Sequence, residues 1–139
     1  MGILLAGTKL CVLPYLLLSM ASFTTIKITT VNIGGMRSQV RFSALSDFLV
    51  KSDIAVAGLQ EVGFELQNAV PGYQLFLNAS HNRTGTAILV RDGVSFSNVQ
   101  YHPSNRIIVG DLYGVKLVNL YSPAGSNRRQ ERNHFFPVI

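Results

Sequence analysis

Two stretches of this sequence, IKITTVN at residues 26–32 and IAVAGL at residues 54–59, decide its fold class. The first alternates apolar and polar residues, which is typical of a half-buried strand, and the second is an apolar run that predicts a buried strand. Residues 39–51 lie between them and have the spacing of an amphipathic helix. The apolar positions on its face are Phe42, Leu45 and Leu49, with Phe48 beside them. Because a helix separates the two strands, we expect them to pair in parallel in an α/β fold.

After Glu61 the sequence consists of short strand candidates separated by turn residues such as Pro71-Gly72 and Asp92-Gly93. This spacing predicts antiparallel hairpins. The predicted strands are residues 73–78, 86–91, 94–100, 106–109 and 115–121. A second helix is predicted at residues 128–136.

The composition indicates one domain at most, with a core of its own. The chain has 139 residues, of which 47% are hydrophobic and 14% are charged, and this excludes a disordered tail. The net charge of +5 suits a polyanionic partner such as nucleic acid or an anionic membrane, although surplus Arg also simply keeps proteins soluble. A single cysteine, Cys11, excludes an internal disulfide and a cysteine-rich zinc site.

Residues 1–23 differ from the rest of the chain and allow two interpretations. Lys9, an apolar run and then small residues have the layout of a signal peptide, which predicts a secreted protein if residues 1–22 are a true leader. Alternatively, Met20 starts a nuclear or cytoplasmic protein and the preceding residues are spurious. The apolar run is broken by Pro14 and too short to span a bilayer, so no membrane anchor beyond a cleavable leader is expected. Both interpretations stay open.

Polar residues follow the predicted strands at the points where these end. Asn32 closes the first strand, Gln60 and Glu61 close the second, and Asn119 and Tyr121 close the last. Parallel neighbouring strands bring their carboxyl ends to one edge of a sheet, where ligands bind. We therefore expect Asn32 and Glu61 to share a site.

These residue types suit the hydrolysis of phosphodiesters, which needs a divalent cation, a base for the attacking water and relief of charge on the leaving oxygen. Glu61 can be the carboxylate of a Mg²⁺ site, and Asn32 can orient the phosphate or a metal-bound water. Tyr121 can donate to a phosphate oxygen, and Arg37 can bind a second phosphate through two donors.

Each of these residues also has a simpler explanation. A Glu that ends a strand is more often a solvated cap than a ligand, and an Asn before two glycines is most often a turn former. Tyr121 can be a half-buried aromatic residue, and Arg37 can be solvated. The functional interpretation therefore depends on the set and not on any single residue.

The set lies in motifs that resemble the endonuclease domain of non-LTR (LINE-type) retrotransposons, over about residues 24–136. The motifs are TTVNIGGMRSQ, DIAVAGLQEV, RTGTAILVR, and VNLYSPAG followed by RRQERNHFF. That family is part of the endonuclease/exonuclease/phosphatase superfamily and is similar to apurinic/apyrimidinic endonucleases. Four motifs in the same order make the resemblance specific.

The resemblance implies a two-sheet α/β sandwich, dependence on Mg²⁺ or Mn²⁺, and nicking of DNA to prime reverse transcription. It implies Asn32, Glu61 and Tyr121 as catalytic residues, with Glu61 and Asn32 on the metal. Arg37, Asn119 and Arg128 are the candidate contacts to phosphate and DNA. No protein partner is implied.

This sequence departs from the family at Gly34, where an Asn or Asp is usual, and at Ala124, where many members have a polar residue. The Gly-Asp-Phe-Asn type motif, the later metal-side Asp and the Asp-His pair of the family's second half are not in the sequence. We therefore expect residues 24–139 to be the N-terminal half of a truncated domain, and an apolar Phe135-Phe136 pair near the last residue supports this. Without the Asp-His pair, the fragment is expected to be inactive.

Two alternatives compete with the endonuclease. Sequons at Asn78 and Asn82 fit a secreted, non-catalytic binding protein that keeps a phosphodiesterase-like half-fold, although such triplets also occur by chance. An inositol-phosphate or sphingomyelin phosphodiesterase keeps the superfamily and changes the substrate. The GTAILVR and ERNHFF segments argue against this last alternative.

Overall fold

In the part of the chain that it describes, the computed structural model has two β-sheets and two helices. It describes residues 25–34, 39–63, 70–80, 85–123, 125 and 128–135. Residues 1–23, with the predicted leader, lie outside the described residues. Within the described part, no helix has the length and apolar character that crossing a membrane requires.

The first sheet has four strands in the order β1-β2-β4-β3. They are β1 (Ile28–Asn32), β2 (Val56–Gln60), β3 (Tyr73–Ala79) and β4 (Gly85–Arg91). As expected, β1 and β2 are parallel, with Asn32 opposite Gln60. Strand β4 is antiparallel to both β2 and β3. The carboxyl ends of β1 and β2 therefore meet at one edge of the sheet.

Helix α1 (Gln39–Lys51) connects β1 to β2, as the apolar spacing predicts. Leu45 and Leu49 are 7% and 0% exposed and pack against the sheet. Phe48 is 44% exposed, so the face that is buried is narrower than the sequence pattern indicates. The helix ends with Lys51 in its last turn, where a cation interacts favourably with the helix dipole.

The second sheet has three antiparallel strands, β5 (Phe96–Tyr101), β6 (Ile107–Leu112) and β7 (Val115–Leu120). A short helix, α2 (Arg129–Phe135), follows it. Strand β6 is longer than predicted and continues to Leu112, because Tyr113 and Gly114 both have positive φ and close a tight two-residue hairpin. These elements confirm the expected two-sheet α/β fold.

The core has two parts that lie on opposite sides of the first sheet. One part lies between α1 and the sheet and includes Leu49, Ala57 and Leu59. The other lies between the two sheets and includes Val56 and Ile108. Successive residues of β2 thus point to opposite sides, and both sides are buried. Burial on both sides explains why β2 is a continuous apolar run. It also fixes the position of β2 relative to the polar residues at the carboxyl ends of the strands.

Asn78, in the first sequon, lies in β3, and its side chain is used inside the fold. Its Nδ2 donates to the carbonyl oxygens of His102, at 2.9 Å, and Ile107, at 3.1 Å. An N-linked glycan occupies the same nitrogen and would remove at least one of these bonds. The folded structure therefore disfavours a glycan at Asn78, while the sequon at Asn82 lies outside the described residues.

Candidate active site

The site is built from residues at the ends of three strands. Asn32 is the last residue of β1, Glu61 directly follows β2, and Tyr121 directly follows β7. The parallel pairing of β1 and β2 puts the first two side by side, as expected. The backbone N–H of Tyr121 donates to the carbonyl oxygen of Arg106 at 2.8 Å, which fixes the chain just after β7.

The Glu61 carboxylate joins the two sheets. Its Oε1 accepts hydrogen bonds from Asn32 Nδ2 and from the Tyr121 hydroxyl, both at 3.0 Å. The two other predicted catalytic side chains, Asn32 and Tyr121, therefore both contact Glu61. Because a carboxylate only accepts hydrogen bonds, the phenol must be protonated and the amide must present its nitrogen.

The backbone around Glu61 is held in an unusual conformation. Glu61 has φ of +56°, which costs a residue with a Cβ roughly 1–2 kcal/mol. The next residue, Val62, donates its N–H to the carbonyl oxygen of Gly85 at 3.0 Å. A Cβ on Gly85 would lie 2.4 Å from the Val62 carbonyl oxygen, so only glycine permits this approach. The turn that orients the Glu61 side chain thus depends on Gly85, the first residue of β4.

A local turn orients Asn32. Its Oδ1 accepts the backbone N–H of Gly34 at 3.0 Å, and the Ile33 N–H donates to the Gln60 carbonyl oxygen at 3.0 Å. A Cβ on Gly34 would lie 4.0 Å from Glu61 Oε2. The Asn or Asp that the resembled family usually has at this position would therefore project beside the Glu61 carboxylate.

Glu61 Oε2 is the atom best placed to hold a cation. Among the described residues, no hydrogen bond reaches this oxygen, in contrast to Oε1 with its two donors. No group of three or more His, Cys, Asp or Glu that could hold a metal exists in the described ranges. A single carboxylate nevertheless fits Mg²⁺, which keeps most of its waters and needs only one or two protein carboxylates. The binding of a metal by Glu61 and Asn32 stays a prediction.

Tyr121 is kept protonated by its surroundings. Burial raises the pKa of its phenol above the ordinary 10.0, and the hydrogen bond to Glu61 and the negative charge of Glu61 add to this. Arg106, whose guanidinium carbon lies 5.0 Å from the centre of the tyrosine ring, acts in the opposite direction. The phenol therefore remains a hydrogen-bond donor throughout the physiological pH range.

Asn119 lies beneath the site and links the two sheets. It is 6% exposed, and its Nδ2 donates to the carbonyl oxygens of Leu59, at 3.1 Å, and Ala87, at 2.8 Å. Its Oδ1 accepts from Gln60 Nε2 at 2.8 Å. Both Asn119 donors are thus used inside the protein. Its predicted contact with phosphate stays untested, and its hydrogen bonds indicate a structural role instead.

Of the two arginines predicted to contact DNA, the structure describes Arg128. Arg128 is exposed just before α2, and its Nε lies 3.8 Å from Glu131 Oε2. Arg37 and Ala124 lie outside the described residues.

Arg106 is a residue that the sequence pattern does not single out. It follows a turn and precedes β6, a place where a solvated arginine is ordinary. In the structure it is 5% exposed, and its Nη2 donates to Glu131 Oε1 at 2.8 Å. Burial is the property that distinguishes it, and burial is not visible in the local sequence.

The sequence matches no protein-family model. No curated protein is significantly similar to it in sequence either.

Solved structures do resemble the fold. A humanized D. rerio TDP2 with 14 mutations matches with a TM-score of 0.59 and 20% identity over 81% of this chain and 54% of that one. A truncated Caenorhabditis elegans TDP2 matches with a TM-score of 0.56 and 21% identity over 81% of this chain and 52% of that one. The AP endonuclease LMAP from Leishmania major matches with a TM-score of 0.58 and 20% identity over 80% of this chain and 45% of that one.

This chain thus spans about half the length of the structures that it matches. At this level of identity the likeness concerns the fold and not the activity. The comparisons thus show the fold: this chain shares the two-sheet α/β fold of these solved structures.

Proposed function

We propose that this chain derives from a retrotransposon-type endonuclease and carries the side of the active site that binds the cation and the phosphate. The parent reaction is the metal-dependent hydrolysis of a DNA phosphodiester bond, which nicks a strand to prime reverse transcription. One observation carries the proposal: Asn32 and Tyr121 converge on the same oxygen of Glu61, at 3.0 Å each.

In this proposal Glu61 and Asn32 would hold a Mg²⁺ or Mn²⁺ ion, and Asn32 would also orient the phosphate. When bound, the ion supplies charge stabilisation to the phosphate oxygens. Asn32 and Tyr121 keep the carboxylate in one orientation. Partners of this kind around a metal ligand typically contribute about 10–100-fold in metal affinity.

The substrate class rests on charge, on motifs and on the neighbours' names. The net charge is +5, and two exposed arginines lie side by side, Arg128 just before α2 and Arg129 as its first residue. The resembled motifs are those of a DNA endonuclease, and one solved neighbour is named an AP endonuclease. DNA is therefore the substrate that we propose, with Arg128 and Arg37 as contacts to its backbone.

We further propose that these 139 residues alone have negligible activity. Hydrolysis needs a base for the attacking water, and the sequence contains no Asp-His pair of the family type. A missing acid–base group typically costs about 10²–10⁴ in rate, and several catalytic groups are missing here together.

Two measurements on the full chain test the proposal. Mn²⁺ binding, followed by electron paramagnetic resonance, is expected for the unmodified chain and is expected to be lost in Glu61→Ala. Asp47→Ala is the matched control, because it removes an exposed carboxylate on α1 that pairs with Lys51. Equal Mn²⁺ affinity in the chain and in Glu61→Ala would contradict a cation site at Glu61.

The second measurement is nicking of supercoiled plasmid with Mg²⁺, for which we expect no turnover above background. Clear turnover that disappears in Glu61→Ala and persists in Asp47→Ala would contradict the proposed inactivity. Such a result would not contradict the proposed cation site at Glu61.

A further inference from the structure

Arg106 contacts the ring of Tyr121 from inside the protein. Its guanidinium carbon lies 5.0 Å from the ring centre, within the range of a cation–π interaction. Its own carbonyl oxygen accepts the Tyr121 N–H at 2.8 Å. Backbone and side chain of one residue thus both hold Tyr121, whose hydroxyl donates to Glu61.

The other end of the Arg106 side chain reaches α2. Its Nη2 donates to Glu131 Oε1 at 2.8 Å, and the two side chains are 6% and 45% exposed. The same Glu131 lies 3.8 Å from Arg128. Arg106 therefore links the candidate active site to the helix that begins beside a proposed DNA contact.

Burying a charged arginine at position 106 costs free energy of folding. Among the described residues, Arg106 Nη1 has no hydrogen-bond partner. A buried donor left unpaired costs roughly 1–3 kcal/mol, more when it is charged, and an apolar residue of similar volume often packs with no loss of stability. Stability alone thus does not explain an arginine here, whereas its contact with Tyr121 does.

We propose that Arg106 is a positioning residue, which holds the Tyr121 hydroxyl against Glu61 Oε1 and ties it to α2 through Glu131. The expected effect of Arg106 on cation affinity rests on the proposed function, because this effect requires that Glu61 binds the cation. The proposal assigns Arg106 no contact with the cation or with DNA.

The direction in which Mn²⁺ affinity changes in one variant distinguishes a positioning role of Arg106 from a purely electrostatic effect of its charge. Arg106→Met removes a positive charge near the site, and charge alone predicts that Mn²⁺ binds more tightly. Positioning predicts weaker binding, by roughly 10-fold, because the Glu61 carboxylate loses an oriented partner. Arg106→Lys keeps a cation near the ring and is expected to recover part of the affinity.

The double variant sharpens this test. In a Tyr121→Phe background the hydroxyl that Arg106 positions is absent, so Arg106→Met should no longer weaken Mn²⁺ binding. Lys116→Met is the control, because it removes a cation of the second sheet that pairs with Asp111 at 2.7 Å and does not contact Tyr121. Its Mn²⁺ affinity should match that of the unmodified chain.

A second readout needs no metal. The ring signals of Tyr121 in nuclear magnetic resonance spectra, assigned by their loss in Tyr121→Phe, should shift in Arg106→Met and remain in place in Lys116→Met. Glu131→Gln, at an exposed position, should shift them less and tests the link to α2 if Arg106→Met does not fold.

Unchanged Tyr121 signals in Arg106→Met, or in Glu131→Gln if Arg106→Met does not fold, would overturn the proposal. So would Mn²⁺ binding in Arg106→Met that is as tight as, or tighter than, in the unmodified chain. If the unmodified chain binds no Mn²⁺, the proposed function fails, and the ring signals still decide the role of Arg106.

Discussion

The two sheets contribute to the candidate site in different ways. The first sheet supplies Asn32 and Glu61 from the ends of its parallel strands, and these are the groups proposed to hold the cation. The second sheet supplies Tyr121 from the end of β7, with Arg106 and Asn119 behind it. The first sheet thus presents the proposed ligands, and the second sheet mainly positions them.

This difference shows what fixes the orientation of the polar side chains at the site. Glu61 is oriented from both sides, by Asn32 of its own sheet and by Tyr121 of the other. Side chains that bridge the two sheets, Asn119 among them, help to set the distance between the sheets. A change in the second sheet should therefore affect a site whose proposed ligands all lie in the first.

The largest effect is expected for Asn119→Ala. It removes the side-chain donor to the Leu59 and Ala87 carbonyl oxygens beneath the site, while Gln60 Nε2 keeps its hydrogen bond to Thr30 Oγ1. Each unpaired buried group costs about 1–3 kcal/mol, and we expect a total loss of ~3 kcal/mol in the free energy of unfolding, measured with urea. Mn²⁺ affinity should fall as well, since the separation of the sheets is no longer fixed.

The control for this prediction is Gln74→Ala, an exposed position in β3. Its free energy of unfolding should change by less than about 0.5 kcal/mol. If Asn119→Ala is equally mild, the second sheet does not depend on this bridge, and the comparison between the sheets loses its physical basis.

A smaller effect, with a characteristic pH dependence, is expected for Tyr121→Phe. The lost hydrogen bond to Glu61 should cost about 1 kcal/mol of unfolding free energy at neutral pH. Burial and Glu61 raise the pKa of Tyr121 above 10.0, so above that pH the unfolded chain loses the phenol proton before the folded chain does. Folding then binds protons, and the contribution of the hydroxyl to stability falls as the pH rises.

The measurement is urea unfolding of the unmodified chain and of Tyr121→Phe from pH 7 to pH 11. The difference between them should be constant below about pH 10 and should decrease above it. Tyr73 and Tyr101, whose pKa values are also raised by burial, are present in both proteins and cancel. A difference that grows above pH 10 would contradict the proposed protonated donor.

The smallest effect is expected for Arg128→Ala, which lies outside both sheets. Loss of one contact to DNA phosphate should weaken binding of a duplex equally for all sequences, and the salt dependence should decrease by about one unit of slope. Fluorescence anisotropy of a labelled duplex at several salt concentrations measures both. Lys51→Ala, an exposed cation on α1, is the matched control. An unchanged salt slope in Arg128→Ala would exclude Arg128 from the DNA contact.

Most of the fold could be predicted from the sequence because its signals are local. The alternation at residues 26–32, the apolar run at 54–59 and the helical spacing between them each specify one element. Parallel pairing then follows from the intervening helix, and it brings Asn32 and Glu61 together. The hairpins were also predictable, although the end of β6 depended on the backbone conformation of Tyr113 and Gly114.

The supporting residues of the site could not be predicted in this way. Arg106 looks like an ordinary surface residue in the sequence, and the burial of both Arg106 and Asn119 depends on how the second sheet packs on the first. Asn119 was selected for its place at a strand end, but its amide points between the sheets. Contacts between residues about 60 positions apart leave no local pattern.

The most direct test of the central claim is the broadening of side-chain signals by Mn²⁺ in nuclear magnetic resonance spectra of the full chain. Paramagnetic broadening depends steeply on distance, so the Asn32 amide and the Tyr121 ring should broaden first, at substoichiometric Mn²⁺. The ring of Tyr113, in the exposed β6–β7 turn, should remain sharp. Equal broadening of all three signals, or broadening only elsewhere, would contradict a single cation site at Glu61.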